Sequence, residues 1–148
     1  MIDPDLLAQL NISVPRYTSY PTSPQFYSMD EAIYRKKISS FDATEKPLSI
    51  YIHIPFCKTM CLFCGCSVVL NRRPETQKEY VQLLLKEISL LPFTKKREVL
   101  QLHLGGGTPT SLTEEEFEEL MHALQARFFF PPHAEISIEI DPRTVYGD

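Results

Sequence analysis

With 148 residues, 43% of them apolar and 11% aromatic, the chain is long enough to bury one globular core. A charged fraction of 23% and a net charge of −4 argue against a nucleic-acid scaffold, and no apolar run approaches the ~20 residues of a membrane span. The first residues, MIDPDLLAQL, lack the basic start and long apolar stretch of a secretory signal, so a cytoplasmic location is expected.

In chain order, a short helix is predicted from Ser28, boxed by Glu31, to about Ile38. The alternating LSIYIHI (Leu48–Ile54) reads as the first strand. A helix follows from Pro74 to about Leu91, with Val81, Leu84, Ile88 and Leu91 on one face, Pro74 and Glu75 in its first turn and Pro92 as its stop. The basic groups Arg72–Arg73 and Lys95–Lys96–Arg97 read as solvated helix ends. VLQLHL (Val99–Leu104) is the second strand. The next helix begins at Thr113, capped reciprocally with Glu116, and buries Phe117, Leu120, Met121, Leu124 and Phe128. AEISIEI (Ala134–Ile140) is the third strand. The order β-α-β-α-β implies an α/β fold with parallel strands and right-handed crossovers over residues 48–148, preceded by an N-terminal extension with a short helix over residues 1–47.

The strands alternate, whereas a parallel sheet covered on both faces should be almost continuously apolar. One face carries Ile50, Ile52 and Ile54, then Leu100, Leu102 and Leu104, then Ile136, Ile138 and Ile140. The other carries Tyr51, His53, Gln101, His103, Glu135, Ser137, Glu139 and Asp141. Three strands sharing a polar face suggest a barrel wall with helices outside and a working lumen inside. Functional loops in such barrels follow the C-terminal strand ends. There the first strand leads into CKTMCLFCGC, the second into GGGTPT, and the third ends at Glu139 and Asp141.

All four cysteines, Cys57, Cys61, Cys64 and Cys66, lie in that first loop. Disulfides at these spacings would close small strained rings, and a reducing compartment disfavours them. Tetrahedral zinc usually takes two separated pairs of ligands, and no second cysteine pair follows, although His53 and His103 are available. An iron–sulfur cluster suits a compact run of thiols better. The consecutive glycines Gly105–Gly107 let backbone approach a ligand closely, which makes their loop a candidate cofactor cradle.

YIHIPFCKTMCLFCGC resembles the C-x3-C-x2-C motif of radical S-adenosylmethionine (SAM) enzymes. PRYTSYPT (Pro15–Thr22), the extra cysteine of CGC and LHLGGGTPTSL are similar to the oxygen-independent coproporphyrinogen III oxidase family within that superfamily. The likeness runs from about Val14 to Arg143 and implies a partial (β/α) barrel. It implies that Cys57, Cys61 and Cys64 hold a [4Fe–4S] cluster with one iron open to SAM, from which an electron generates a 5′-deoxyadenosyl radical. It implies that Tyr51, Gly106 and Glu139 touch this SAM, and that Phe63, Gly107 and Thr108 touch a second one. The implied reaction is oxidative decarboxylation of two propionates of coproporphyrinogen III to vinyl groups, giving protoporphyrinogen IX in haem biosynthesis. An unidentified electron donor and a monomeric full-length protein are expected with it, and no nucleic-acid or membrane partner. Cys66 is by resemblance a non-ligand, while spacing leaves a fourth-ligand role open; Arg16 suits substrate carboxylates or an N-terminal clamp.

A complete barrel of this kind needs on the order of 250 residues. Three strands are recognisable before Asp148, so the chain is expected to be a fragment or a truncated gene product without activity in isolation. The competing functions are a haem-trafficking radical SAM paralogue and a non-catalytic zinc-binding module.

Overall fold

The structure is a computed structural model that describes residues 4–11, 25–70 and 73–145. The chain divides into two compact units, Met1–Tyr34 and Arg35–Asp148. The first holds α1 (Pro4–Leu10), which opens on proline with Asp5 in its first turn. Helix α2 (Glu31–Asp42) starts three residues later than the sequence suggests and runs four residues past Ile38. Asp30 directly precedes it, and its carboxylate accepts the Ile33 N–H at 2.8 Å, so Asp30 is the cap in place of Ser28.

The second unit continues with β1 (Leu48–Ile54), β2 (Phe56–Cys57), β3 (Val69–Leu70), α3 (Pro74–Leu90), β4 (Arg97–Gly106), α4 (Glu114–Arg127), β5 (Phe128–Phe129) and β6 (Glu135–Ile138). β4 is central, pairing in parallel with β1, with β6 and, at its start, with the short β5. The register sets Tyr51, His103 and Ser137 in one row and Ile52, Leu104 and Ile138 in the next. The expected parallel order and the two chemically distinct faces are therefore present.

Ile52, Ile54, Leu102 and Leu104 are buried on the apolar face with Leu120, Leu124 and Phe128 of the α4 side, and Leu84 and Ile88 of α3 pack against them. One expected member of that face is displaced. The register steps by one residue between Leu48 and Ser49, so Leu48 faces Val99 while Ser49 faces Gln101. Val99 consequently enters the core, and Leu100 is only partly buried. Ile136 and Ile140 are also more than half exposed, and Ile140 lies beyond the end of β6.

Arg97 overturns its reading as a solvated basic residue. Only 2% of it is exposed, at the first position of β4. Its guanidinium donates to the carbonyls of Phe41, Asp42 and Lys46 and to the Asp42 carboxylate, between the rings of Phe41 and Phe93. Burial alone would raise the Asp42 carboxyl, but hydrogen bonds from Thr94 and Arg97 together hold it below its usual range.

The predicted capping box opens α4. The Thr113 hydroxyl accepts the Glu116 N–H, and the Glu116 carboxylate accepts the Thr113 N–H at 3.0 Å. Gln77 of α3 donates to the same carboxylate at 2.6 Å, so the cap also fastens α3 to α4. Thr113→Ala is expected to lower stability by about 1 kcal/mol, read as a shifted midpoint with an unchanged slope in urea denaturation. Among the described residues no helix is long and apolar enough to cross a membrane.

Candidate functional site

The C-terminal ends of β1, β4 and β6 meet at one rim, where the cysteine loop, the glycine loop and Glu139 converge. The cysteine loop is pinned at its base. β2 and β3 pair across it, and Val69 donates its N–H to the Pro55 carbonyl at 2.7 Å. His53 Nε2 lies 2.9 Å from the Ser67 carbonyl oxygen, tying the far limb of the loop to β1. Neither β2 nor β3 was visible in the sequence, because a two-residue pairing has no periodicity to detect.

Cys57 is buried at the end of β2, with its sulfur 3.3 Å from the Thr108 hydroxyl, whereas Cys61, Cys64 and Cys66 are exposed and all four thiols are free. The Cys64 sulfur, above all, pushes the neighbouring Cys66 thiol up, with partial desolvation and Glu139 adding to it. Among the described residues no three His, Cys, Asp or Glu side chains stand together in a metal-holding group. Cys57 is thus the anchored thiol, and the other three are displayed by the loop.

The glycine loop packs directly beneath. Gly106 has φ +120°, a conformation open to glycine, and a Cβ there would sit 2.8 Å from the Ile54 carbonyl oxygen. At Gly107 a Cβ would lie 2.6 Å from the Pro55 carbonyl oxygen and 2.9 Å from Cys57 Sγ. Gly107 donates its N–H to Ile54 at 2.8 Å, which seats the loop against the strand leading into Cys57.

Glu139 follows β6 and its N–H donates to the Leu104 carbonyl at 2.9 Å, extending the sheet by one residue. One of its carboxylate oxygens accepts the Gly106 N–H at 3.1 Å. Tyr51 lies over the same region, and partial desolvation, then the charge of Glu139, push its hydroxyl up. A cavity of about 270 Å³ opens here, lined by Cys61, Gly107, Thr108, Glu139, Asp141 and Arg143. Arg143, a residue that sequence reasoning did not single out, grips both oxygens of Asp141 and has Nη2 3.8 Å from Cys61 Sγ. The Asp141 ion pair raises Arg143 further, and Arg143 in turn holds Asp141 low. The only hint of this pair in the sequence is D-P-R itself, where the proline turn folds the guanidinium back.

Of the expected site residues, Tyr51, Cys57, Cys61, Gly106, Gly107, Thr108 and Glu139 are brought to this rim. Phe63 instead stands 97% exposed on the loop. Arg16 and the PRYTSYPT stretch lie outside the described residues, as does Arg72.

The sequence profile of the radical SAM superfamily matches residues 51–146, from the polar face of β1 past Arg143. The chain belongs to the radical SAM superfamily, and its parallel α/β wall is that fold. Oxygen-independent coproporphyrinogen III oxidase of Salmonella typhimurium is 42% identical over 145 residues, covering 97% of this chain and 31% of that protein. The protein of the same name from Mannheimia haemolytica is 43% identical over 141 residues, covering 93% of this chain and 94% of that one. The solved coproporphyrinogen III oxidase of Escherichia coli, described as a radical SAM enzyme, matches with a TM-score of 0.80 at 39% identity over 95% of this chain. Within the superfamily, then, this is a member of the oxygen-independent coproporphyrinogen III oxidase family. It spans 31% of the length of the Salmonella and Escherichia relatives.

Proposed function

We propose that this chain supplies the cluster- and SAM-binding part of an enzyme that decarboxylates coproporphyrinogen III oxidatively to protoporphyrinogen IX. The observation that carries the reading is the rim itself, where Cys57 and Gly107 are packed so closely that a single methyl group would not fit between them. A loop of thiols over a backbone cradle suits a [4Fe–4S] cluster in donor chemistry. Cys57, Cys61 and Cys64 would hold it, with Cys66 beside Cys64 as a non-ligand.

Held there, the cluster would supply the one-electron reduction that breaks the C–S bond of the SAM sulfonium, with methionine as the leaving group. The chain's own residues bind and orient. Glu139, fixed by Gly106, presents a carboxylate to the first SAM, and Tyr51 flanks it on the same strand face. Gly107 and Thr108 line the cavity proposed for a second SAM, and Phe63, exposed on the loop, is proposed as its further contact. The barrel part is taken to start at Leu48, after an extension over residues 1–47, and Arg16 of that extension is proposed to bind substrate carboxylates, which suit a guanidinium. An electron donor, a monomeric state and a cytoplasmic location complete the proposal. The names of the relatives support the substrate.

The test is anaerobic reconstitution with iron and sulfide, followed by SAM and a strong reductant. Bound iron with matching inorganic sulfide and release of 5′-deoxyadenosine are expected. Zinc uptake without sulfide would reject this reading in favour of a zinc module. Cluster and SAM cleavage without any turnover of coproporphyrinogen III in a relative-length protein carrying this segment would favour the haem-trafficking paralogue.

A further inference from the structure

We propose that His103 is a positioning residue that orients Glu139 and Tyr51 toward SAM, an inference that rests on the reading of Glu139 as a SAM contact. His103 sits mid-strand in β4, in register with Tyr51 of β1 on one side and Ser137 of β6 on the other. Its ring makes three separate contacts. Nδ1 lies 2.8 Å from the Ser137 hydroxyl, and Nε2 lies 3.4 Å from Glu139 Oε1. The ring face stacks on Tyr51, with centroids 5.7 Å apart and planes 14° from parallel.

The chemistry of the partners fixes the proton. An ionised carboxylate only accepts, so Nε2 must carry the hydrogen directed at Glu139. In a neutral ring Nδ1 is then an acceptor, and the Ser137 hydroxyl donates to it. Glu139 is thereby held at both oxygens, Oε1 by His103 and Oε2 by the Gly106 N–H at 3.1 Å. With Gly106 alone the carboxylate would be free to turn about its end; with both donors its plane is set. Tyr51 is fixed in the same way, stacked on His103 and bonded through its hydroxyl to His53 Nδ1 at 3.0 Å. His53 in turn reaches the Ser67 carbonyl of the cysteine loop. Among the described residues, His103 is therefore a ring that touches both of the polar side chains assigned to the first SAM. An ordinary surface histidine of a polar strand face would need none of this, and would show no single tautomer.

Three variants of this 148-residue chain, reconstituted anaerobically, test the idea by direct SAM binding and by iron content. His103→Phe keeps a ring for Tyr51 and removes both hydrogen bonds. His103→Gln keeps an amide donor near the position of Nε2. Glu139→Ala is the benchmark for the site. His103→Phe is expected to weaken SAM binding ~10-fold and His103→Gln less than about 3-fold, with iron per chain unchanged in each. Weakening by Glu139→Ala but equal, unimpaired binding in both His103 variants would overturn the inference and leave the site reading standing. Unimpaired binding in Glu139→Ala would overturn the site reading, and this inference with it. A second measurement needs neither metal nor SAM. Nitrogen-15 NMR of the histidine rings in the metal-free chain should find His103 as the Nε2–H tautomer, and Glu139→Ala should abolish that preference. An Nδ1–H tautomer, or a preference untouched by Glu139→Ala, would overturn the proposal even if a His103 variant fails to fold.

Discussion

Replacement of Cys57, Cys61 or Cys64 by serine is expected to reduce cluster iron and sulfide to background after anaerobic reconstitution, whereas Cys66→Ser should retain both. A serine hydroxyl stays protonated where a thiol ionises, so each replacement removes a ligand while changing little volume. Cys57 is the one buried thiol of the three, with its sulfur 3.3 Å from the Thr108 hydroxyl, so its replacement acts at the fixed base of the loop. Cys66 follows Cys64 by two residues and lies outside the three-thiol set proposed to hold the cluster. Visible absorbance and the paramagnetic signal of the reduced cluster read the outcome, with iron and sulfide counted per chain. Equal loss in all four variants would reject the three-ligand reading and point to a site closed by Cys66. Full retention in Cys61→Ser or Cys64→Ser would remove that residue from the ligand set.

Local signals carried most of what the sequence revealed. β1 matches its expected bounds, Leu48–Ile54, because proline flanks an unbroken alternation on both sides. α4 was legible from its box, since Thr113 and Glu116 are only three residues apart. What escaped depends on partners far along the chain. Arg97 looks like the end of a basic run until Phe41, Asp42 and Lys46 fold over it from more than fifty residues away. Leu100 and Val99 are equally apolar, and the one-residue register step that buries Val99 is set by β1, not by the period of β4. The candidate site divides along the same line. The cysteines, the glycines and Glu139 stand out by residue type at strand ends, a pattern visible in one dimension. The clasp of His103 on Glu139 spans thirty-six positions and appears only once β4 and β6 are in register.

The three glycines should separate when each is changed to alanine. Gly107→Ala places a methyl group 2.6 Å from the Pro55 carbonyl oxygen and 2.8 Å from its carbon. Those are backbone atoms of the strand leading into the cysteine loop, so the clash is relieved only by moving the loop or breaking the Gly107 N–H bond to Ile54. Gly106→Ala meets the Ile54 carbonyl oxygen at 2.8 Å and must also hold φ +120°. Each of these two changes should cost about 1–3 kcal/mol, lower the melting temperature by several degrees and diminish the iron retained after reconstitution. The nearest atoms to a Cβ at Gly105 are side-chain atoms of Glu139 and Tyr51, at 3.0 Å each, and both can shift at their ends. Its melting temperature and iron content should stay near those of the parent chain, while SAM binding weakens because Glu139 is turned. The three outcomes are read by thermal unfolding, iron analysis and SAM titration of the same preparations. Parent-like melting and iron in Gly107→Ala would mean that the glycine loop does not press on the base of the cysteine loop, and the cradle would lose its physical basis.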